Sequence, residues 1–156
     1  MRKTTLLFLH RPLEKQILLA MKKRGFGEGK WNGVGGKLKD GEDILDALIR
    51  EANEEISVTL SPGDLLHVAT IDFYFDGKPE FNQQVHAYLA EKWAGEPQES
   101  EEMRPEWHDY ESIPFESMWI DDPHWLPRVL AGEKLNATFT FDQTGASILK
   151  MEVNSI

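Results

Sequence analysis

Apolar residues fall along this chain in short runs that read as strands and in one longer stretch at helical spacing. Residues 4–10 and 16–22 are apolar runs parted by Arg11-Pro12-Leu13-Glu14-Lys15, which predicts two strands and a hairpin connection. Residues 25–41 are crowded with glycine (Gly25, Gly27, Gly29, Gly33, Gly35, Gly36 and Gly41), too many for regular structure. Such a loop suits close backbone approach to a phosphate or a cation. From Ile44 onward the apolar positions Ile44, Leu48, Ala52 and Ile56 form one row, flanked by Leu45 and Ile49, which predicts an amphipathic helix. Asp40-Gly41-Glu42-Asp43 supplies its turn, its capping oxygen and the first-turn acids that the helix dipole favours. Beyond Ser61-Pro62-Gly63, residues 65–75 and 84–93 read as strands about Asp76-Gly77-Lys78-Pro79. Glu96 to Glu106 reads as a loop because of Pro97 and Pro105, followed by a short strand near 107–110. Pro123 predicts the start of a second helix over 124–131, closed by Gly132, and strands near 135–142 and 147–153 end the chain. No repeat, low-complexity tract or linker interrupts the pattern, so a single α/β domain over residues 1–156 is expected.

Composition narrows the picture. A chain of 156 residues with 40% hydrophobic residues suits one compact domain with a core of its own. It has no cysteine, so disulfides and thiolate ligands are ruled out, which is compatible with a reducing compartment. The apolar run at the N-terminus breaks at His10-Arg11-Pro12, too short to cross a membrane, and is expected to be a buried first strand. A net charge of −10 opposes binding to nucleic-acid backbones, which takes a basic surface. It does not oppose a nucleotide whose phosphates are received by a cation held on carboxylates, with Lys22, Lys23 and Arg24 as a local positive rim.

The helix carries an oddity that stability does not explain. Glu51, Glu54 and Glu55 project from neighbouring directions at about 100° per residue. Like charges at such spacing cost an isolated helix roughly 0.2–0.5 kcal/mol per pair, and acids late in a helix oppose its dipole. Glu51 and Glu55 also lie nearly in line with Ile44, beside the buried stripe, where they can line a cleft. Hard divalent cations take oxygen ligands, and magnesium is commonly held by a few carboxylates together with waters and substrate phosphates. A Glu-rich helix alone is more often a solvated face; the glycines and the arginine around this one favour a phosphate-directed magnesium site.

Gly36, Glu42, Arg50, Glu51, Glu54 and Glu55 stand at the spacing of the Nudix box, and the chain resembles a Nudix hydrolase of the MutT type. Ser57 replaces the glycine usual near the end of the box, so the loop leaving the helix is expected to turn differently. Met21 to Gly27, Trp31-Asn32-Gly33, Glu102-Met103-Arg104-Pro105 and Met118 to Asp122 are similar to segments of the family's vertebrate oxidised-purine triphosphatase branch. The resemblance spans most of residues 4–128. It implies an α/β/α sandwich with a mixed sheet and Mg²⁺, with Mn²⁺ as a possible substitute. Gly36, Glu51, Glu54, Glu55 and Glu102 would be metal ligands, with Arg50 orienting a box glutamate through a charge-assisted hydrogen bond.

The resemblance also assigns a base site. Asp121-Asp122-Pro123 has an ordinary reading, an Asp cap with proline at the first helical position. One aspartate suffices for that, and the resemblance places the pair at the edge of a purine stacked on Trp119. Two close carboxylates disfavour double ionisation, so one can hold a proton and donate while the other accepts. Asn32 would meet another edge of the base, Phe26 and Phe73 would be apolar walls, and Thr5 and Lys22 would lie nearby. Phe81-Asn82-Gln83-Gln84 puts polar residues where the branch has an apolar pocket residue and is one residue longer. The histidines show no zinc spacing. The expected activity is Mg²⁺-dependent hydrolysis of oxidised purine triphosphates such as 8-oxo-dGTP and 2-hydroxy-dATP to monophosphate and pyrophosphate. Alternatives are another nucleoside diphosphate derivative, such as ADP-ribose or a methylated purine nucleotide, and a non-catalytic nucleotide sensor. A small-molecule nucleotide partner is expected, with neither nucleic-acid polymer nor membrane, in a cytoplasmic monomer.

Overall fold

The computed structural model describes residues 1–156. The strands are β1 (Arg2–Arg11), β2 (Gln16–Lys22), β3 (Trp31–Asn32), β4 (Leu65–Phe75), β5 (Gln83–Ala90), β6 (Met103–Asp109), β7 (Leu135–Phe141) and β8 (Ile148–Ser155). The helices are α1 (Ile44–Ile56) and α2 (Asp122–Leu130). The strands run in the order β3-β2-β1-β5-β4-β7-β8, with β6 on the free side of β2. β1 with β5 and β4 with β7 are parallel and the other pairs antiparallel, so the sheet is mixed.

Alternation along β1 explains the layers. Leu7 and Leu9 point to the side where α1 buries Leu48, Ala52 and Ile56, while Phe8 points to the side where α2 buries Trp125, Leu126 and Val129. A strand apolar on both faces belongs in the middle of a sandwich, with about 1.5–3 kcal/mol gained for each large side chain buried. The expected α/β/α arrangement is therefore the one formed.

The feature that makes room for a site is a fork. β1 and β2 pair only at His10↔Ile17 and Arg11↔Gln16 and then separate. The glycine-rich segment fills the gap: β3 pairs with β2, and Val34 bridges to Leu7 and Lys37 to Thr4 on β1. Only glycine fits at two points of this wedge, since a Cβ on Gly33 would lie 2.5 Å from the Leu7 carbonyl oxygen and one on Gly35 2.0 Å from that of Thr5. The glycines thus lock the loop into the sheet, where a wholly irregular segment was expected.

Several boundaries differ from the pattern-based reading, among them β5, which ends at Ala90 rather than at 93. β6 covers Met103–Asp109, most of which reads from sequence as loop because of Pro105. Lys23 N–H donates to the Glu102 carbonyl and Tyr110 N–H to that of Lys15, which fixes the alternation of this antiparallel ladder. Pro105, opposite Ala20, falls on a non-hydrogen-bonded pair, so its missing N–H faces outward and an edge strand tolerates it. α2 begins at Asp122 rather than after Pro123. Ser57 does not make α1 end differently: it takes the left-handed conformation (φ 61, ψ 29) that a glycine would hold, and its N–H donates to the Asn53 carbonyl.

Candidate active site

Asp43 opens α1 as the pattern predicts, its side chain accepting from the Asp46 N–H at 2.8 Å. About two turns later, Arg50 resolves the conflict among the acids. Its guanidinium holds Glu42 through two hydrogen bonds of 2.8 and 2.9 Å and also donates to Glu51 at 3.0 Å and Glu54 at 3.2 Å. The paired Arg50 holds the Glu42 carboxyl down to about 2, helped by the Lys39 N–H. Charge-assisted, two-pronged pairing of this kind fixes geometry as well as neutralising charge.

Glu55 stands apart from that network. It is buried, accepts the Gly35 N–H at 2.9 Å, and is pushed up to about 7, first by burial and then by the charge of Glu51. The Glu51 carboxylate packs on the glycine wedge, where a Cβ on Gly36 would come 2.9 Å from its Oε1. Gly36 is tied to β1 through its carbonyl, which accepts the Thr5 N–H at 2.9 Å, and through its own N–H to the Thr5 hydroxyl at 3.3 Å. Two carboxyls one turn apart, one of them raised by the charge of the other, and the glycine backbone beside them offer hard oxygens of the kind a divalent cation takes. The residues fit such an ion.

Other expected ligands lie elsewhere. Glu54 is on the outer side of α1 against Arg50, and Glu102 is paired with Arg24 at 2.7 Å and with Lys22 at 3.5 Å. The Arg24 bond holds the Glu102 carboxyl below the usual carboxylate range. No three acidic or histidine side chains converge on one point. Arg24 and Lys22 thus engage Glu102, and Arg50 engages Glu54.

Beside the wedge opens a cavity of about 390 Å³. Asn32, Trp119, Asp121 and Asp122 line it, as do Phe26, Phe73, Lys22, Thr5 and Gly36, so segments distant in sequence meet in one chamber. Phe26 stacks on Trp119 at 5.2 Å and on Phe81 at 5.5 Å. Phe81 thereby supplies an apolar wall in the segment that reads as polar from sequence. The Asn32 Oδ1 accepts the Gly33 N–H at 2.9 Å, which leaves its NH₂ as the group free to meet a ligand. Thr5 uses its hydroxyl on Gly36 and so braces the wedge.

The aspartate pair departs from ordinary capping. Asp121 takes the N-cap position of α2 yet its side chain accepts no backbone N–H. It accepts instead from the Trp125 indole Nε1–H at 2.8 Å, a partner one helical turn along that sequence reading missed although its i, i+4 spacing was visible. Asp121 and Asp122 are 2% and 3% exposed, and the Asp122 Oδ2 is buried with no hydrogen-bond partner. Burial pushes both carboxyls up, Asp122 well up because Asp121 adds to the effect, while the Trp125 bond opposes it at Asp121. Two buried carboxyls side by side disfavour double ionisation, and burial favours the protonated form of both.

Residues 2–129 match the NUDIX domain. Among curated proteins, the chain is 47% identical over 127 residues to the oxidized purine nucleoside triphosphate hydrolase of Danio rerio, covering 81% of this chain and 79% of that protein. It is 46% identical over 128 residues to the protein of that name from Mus musculus, covering 81% and 80%. Among solved structures, a MutT protein from Bacillus halodurans superposes with a TM-score of 0.82 at 23% identity, covering 99% of this chain and 98% of that one.

Proposed function

The chain belongs to the NUDIX family and is a Nudix hydrolase, and on that premise we propose that it hydrolyses oxidised purine nucleoside triphosphates to monophosphate and pyrophosphate. The observation that carries the substrate is the buried Asp121-Asp122 pair with its unpartnered oxygen, set in a cavity that also presents Trp119 and the Asn32 amide. A buried polar atom without a partner costs about 1–3 kcal/mol, so a ligand that supplies the partner recovers that energy on binding. Guanine presents O6 as acceptor beside N1–H as donor, and adenine presents the reverse. A carboxyl-carboxylate pair sharing one proton offers both patterns, which accounts for 8-oxo-dGTP and 2-hydroxy-dATP as substrates of one site. The identity with two hydrolases named for oxidised purines supports the same class.

The phosphates would lie toward α1, where Glu51, Glu55 and the Gly36 carbonyl would hold Mg²⁺ or Mn²⁺, joined by Glu54 and Glu102 if their arginine partners release them. Such a metal, when bound, neutralises charge developing on phosphate and lowers the pKa of the attacking water. Arg50 fixes Glu51 in place, and Lys22, which lines the cavity, faces the anionic chain of the substrate. Trp119 and Phe26 bury the base and exclude water from its edge. Small nucleotides rather than polymers fit a net charge of −10. No helix is long and apolar enough to cross a membrane.

The test is a Mg²⁺-dependent panel of 8-oxo-dGTP, 2-hydroxy-dATP, dGTP, dATP and ADP-ribose, with Asp121→Asn and Asp122→Asn alongside. We expect the highest kcat/KM on the oxidised purines and a loss of that preference in both variants. Equal turnover of oxidised and normal purines, or an unaltered preference in both variants, would contradict the base-reading role. Faster turnover of ADP-ribose would assign the site to another diphosphate.

A further inference from the structure

The family match ends at residue 129, before β7 and β8, so it assigns no role to the hairpin they form. That hairpin nonetheless reaches the base site. Its turn is held by Asp142, whose Oδ1 accepts the Thr144 N–H at 3.0 Å, the Thr144 hydroxyl at 2.7 Å and the Ala146 N–H at 3.2 Å. The network presents Gly145, at φ +76, to the aromatic wall. A Cβ there would stand 3.0 Å from Cζ3 of Trp119 and 3.4 Å from Cε2 of Phe75. Gly145 is buried and does not line the cavity, whereas Trp119 and Phe75 do, so it backs both rings from behind. Phe141, the last residue of β7, stacks on Trp119 at 6.2 Å and completes the support.

We infer that the β7–β8 hairpin sets the plane of the stacking tryptophan, with Gly145 as the positioning residue that admits the indole to its working place. The inference rests on the base site proposed above. Glycine serves two needs here: it tolerates positive φ, and it leaves the volume that the indole edge occupies. A methyl group at Gly145 drives Trp119 forward by a few tenths of an ångström, into the space meant for the base. The groups that hold the phosphates are untouched, so binding of the base suffers and the chemical step does not.

The test compares Gly145→Ala with Gly132→Ala, which carries similar backbone strain (φ +99) with nothing within 4 Å of the added Cβ. We expect Gly145→Ala to raise KM for 8-oxo-dGTP about 3- to 10-fold with kcat held within about twofold, the split of a purely binding defect. Gly132→Ala should leave KM unchanged. The indole N–H resonance of Trp119, one of five tryptophans and assigned by its loss in Trp119→Phe, should move in Gly145→Ala and stay in Gly132→Ala. If all five resonances move, the decision passes to Thr144→Ala, which loosens the same turn from an exposed position and should shift KM and the Trp119 signal in the same direction. A stationary Trp119 resonance overturns the inference, as does a moved resonance with unchanged KM in an enzyme active on 8-oxo-dGTP. A wild type inactive on every oxidised purine overturns the functional reading instead, while the resonance still decides what positions the indole.

Discussion

Asp122 is the residue where sequence logic and structure part most sharply. The Asp-Asp-Pro run reads locally as a helix cap, and capping is the rule for such a run. Burial overrides it: neither carboxylate caps, and both turn into the chamber, one held by Trp125 and the other unpartnered at one oxygen. Because burial raises both carboxyls above the ordinary 3.8, the fold favours their protonation relative to the unfolded chain. The contribution to stability is complete below that ordinary value and is lost as pH rises through the folded value. Asp122→Asn, which needs no proton to stay neutral, should therefore stabilise the ligand-free protein at pH 7–8 by about 1–3 kcal/mol. Urea denaturation across pH checks this: the gain should shrink as pH falls toward 4, and a difference independent of pH would refute the shared-proton account. Trp125 stands at visible i, i+4 spacing from Asp121, but that the carboxylate turns to its indole rather than to a backbone N–H depends on how α2 is set against the cavity.

At the scale of elements, α1 was readable from end to end, since its apolar period, its Asp43 cap and its acids are all local signals. Its C-terminus shows what a pattern cannot supply. Ser57 holds the left-handed conformation of a glycine at φ 61, so the turn is kept at the expense of strain. Ser57→Gly should stabilise the protein by about 1 kcal/mol, read as a melting temperature about 2–4 °C higher. A lower melting temperature would mean that the serine makes a compensating contact. β6 and β3 were harder to see: Pro105 hides a strand unless the hydrogen-bonding parity of its ladder is known, and a two-residue strand leaves no period to detect. The wedge of Gly33 and Gly35 was visible as glycine density, but its place in the fork of β1 and β2 is tertiary information.

The whole molecule is a sandwich whose two cores, one under each helix, leave a chamber beside the glycine wedge. Its layers follow from alternation along β1, while the chamber follows from the fork, which no single segment encodes. Carboxylates one turn apart on α1, both set against the glycine wedge, should make the fold respond to a divalent cation as a whole. Mg²⁺ at ten times its dissociation constant should raise stability by about 1.4 kcal/mol. EDTA should reverse the gain, and Glu55→Gln should abolish most of it in a thermal scan. An equal shift in that variant would place the cation elsewhere.

The central claim joins the acids of α1 to a base site that delivers a triphosphate, and product analysis tests it most directly. With 8-oxo-dGTP and Mg²⁺, the account predicts monophosphate and pyrophosphate as the primary products, with the rate falling at least about 100-fold in Glu55→Gln. Orthophosphate as the primary product, or pyrophosphate release undiminished in Glu55→Gln, would contradict it.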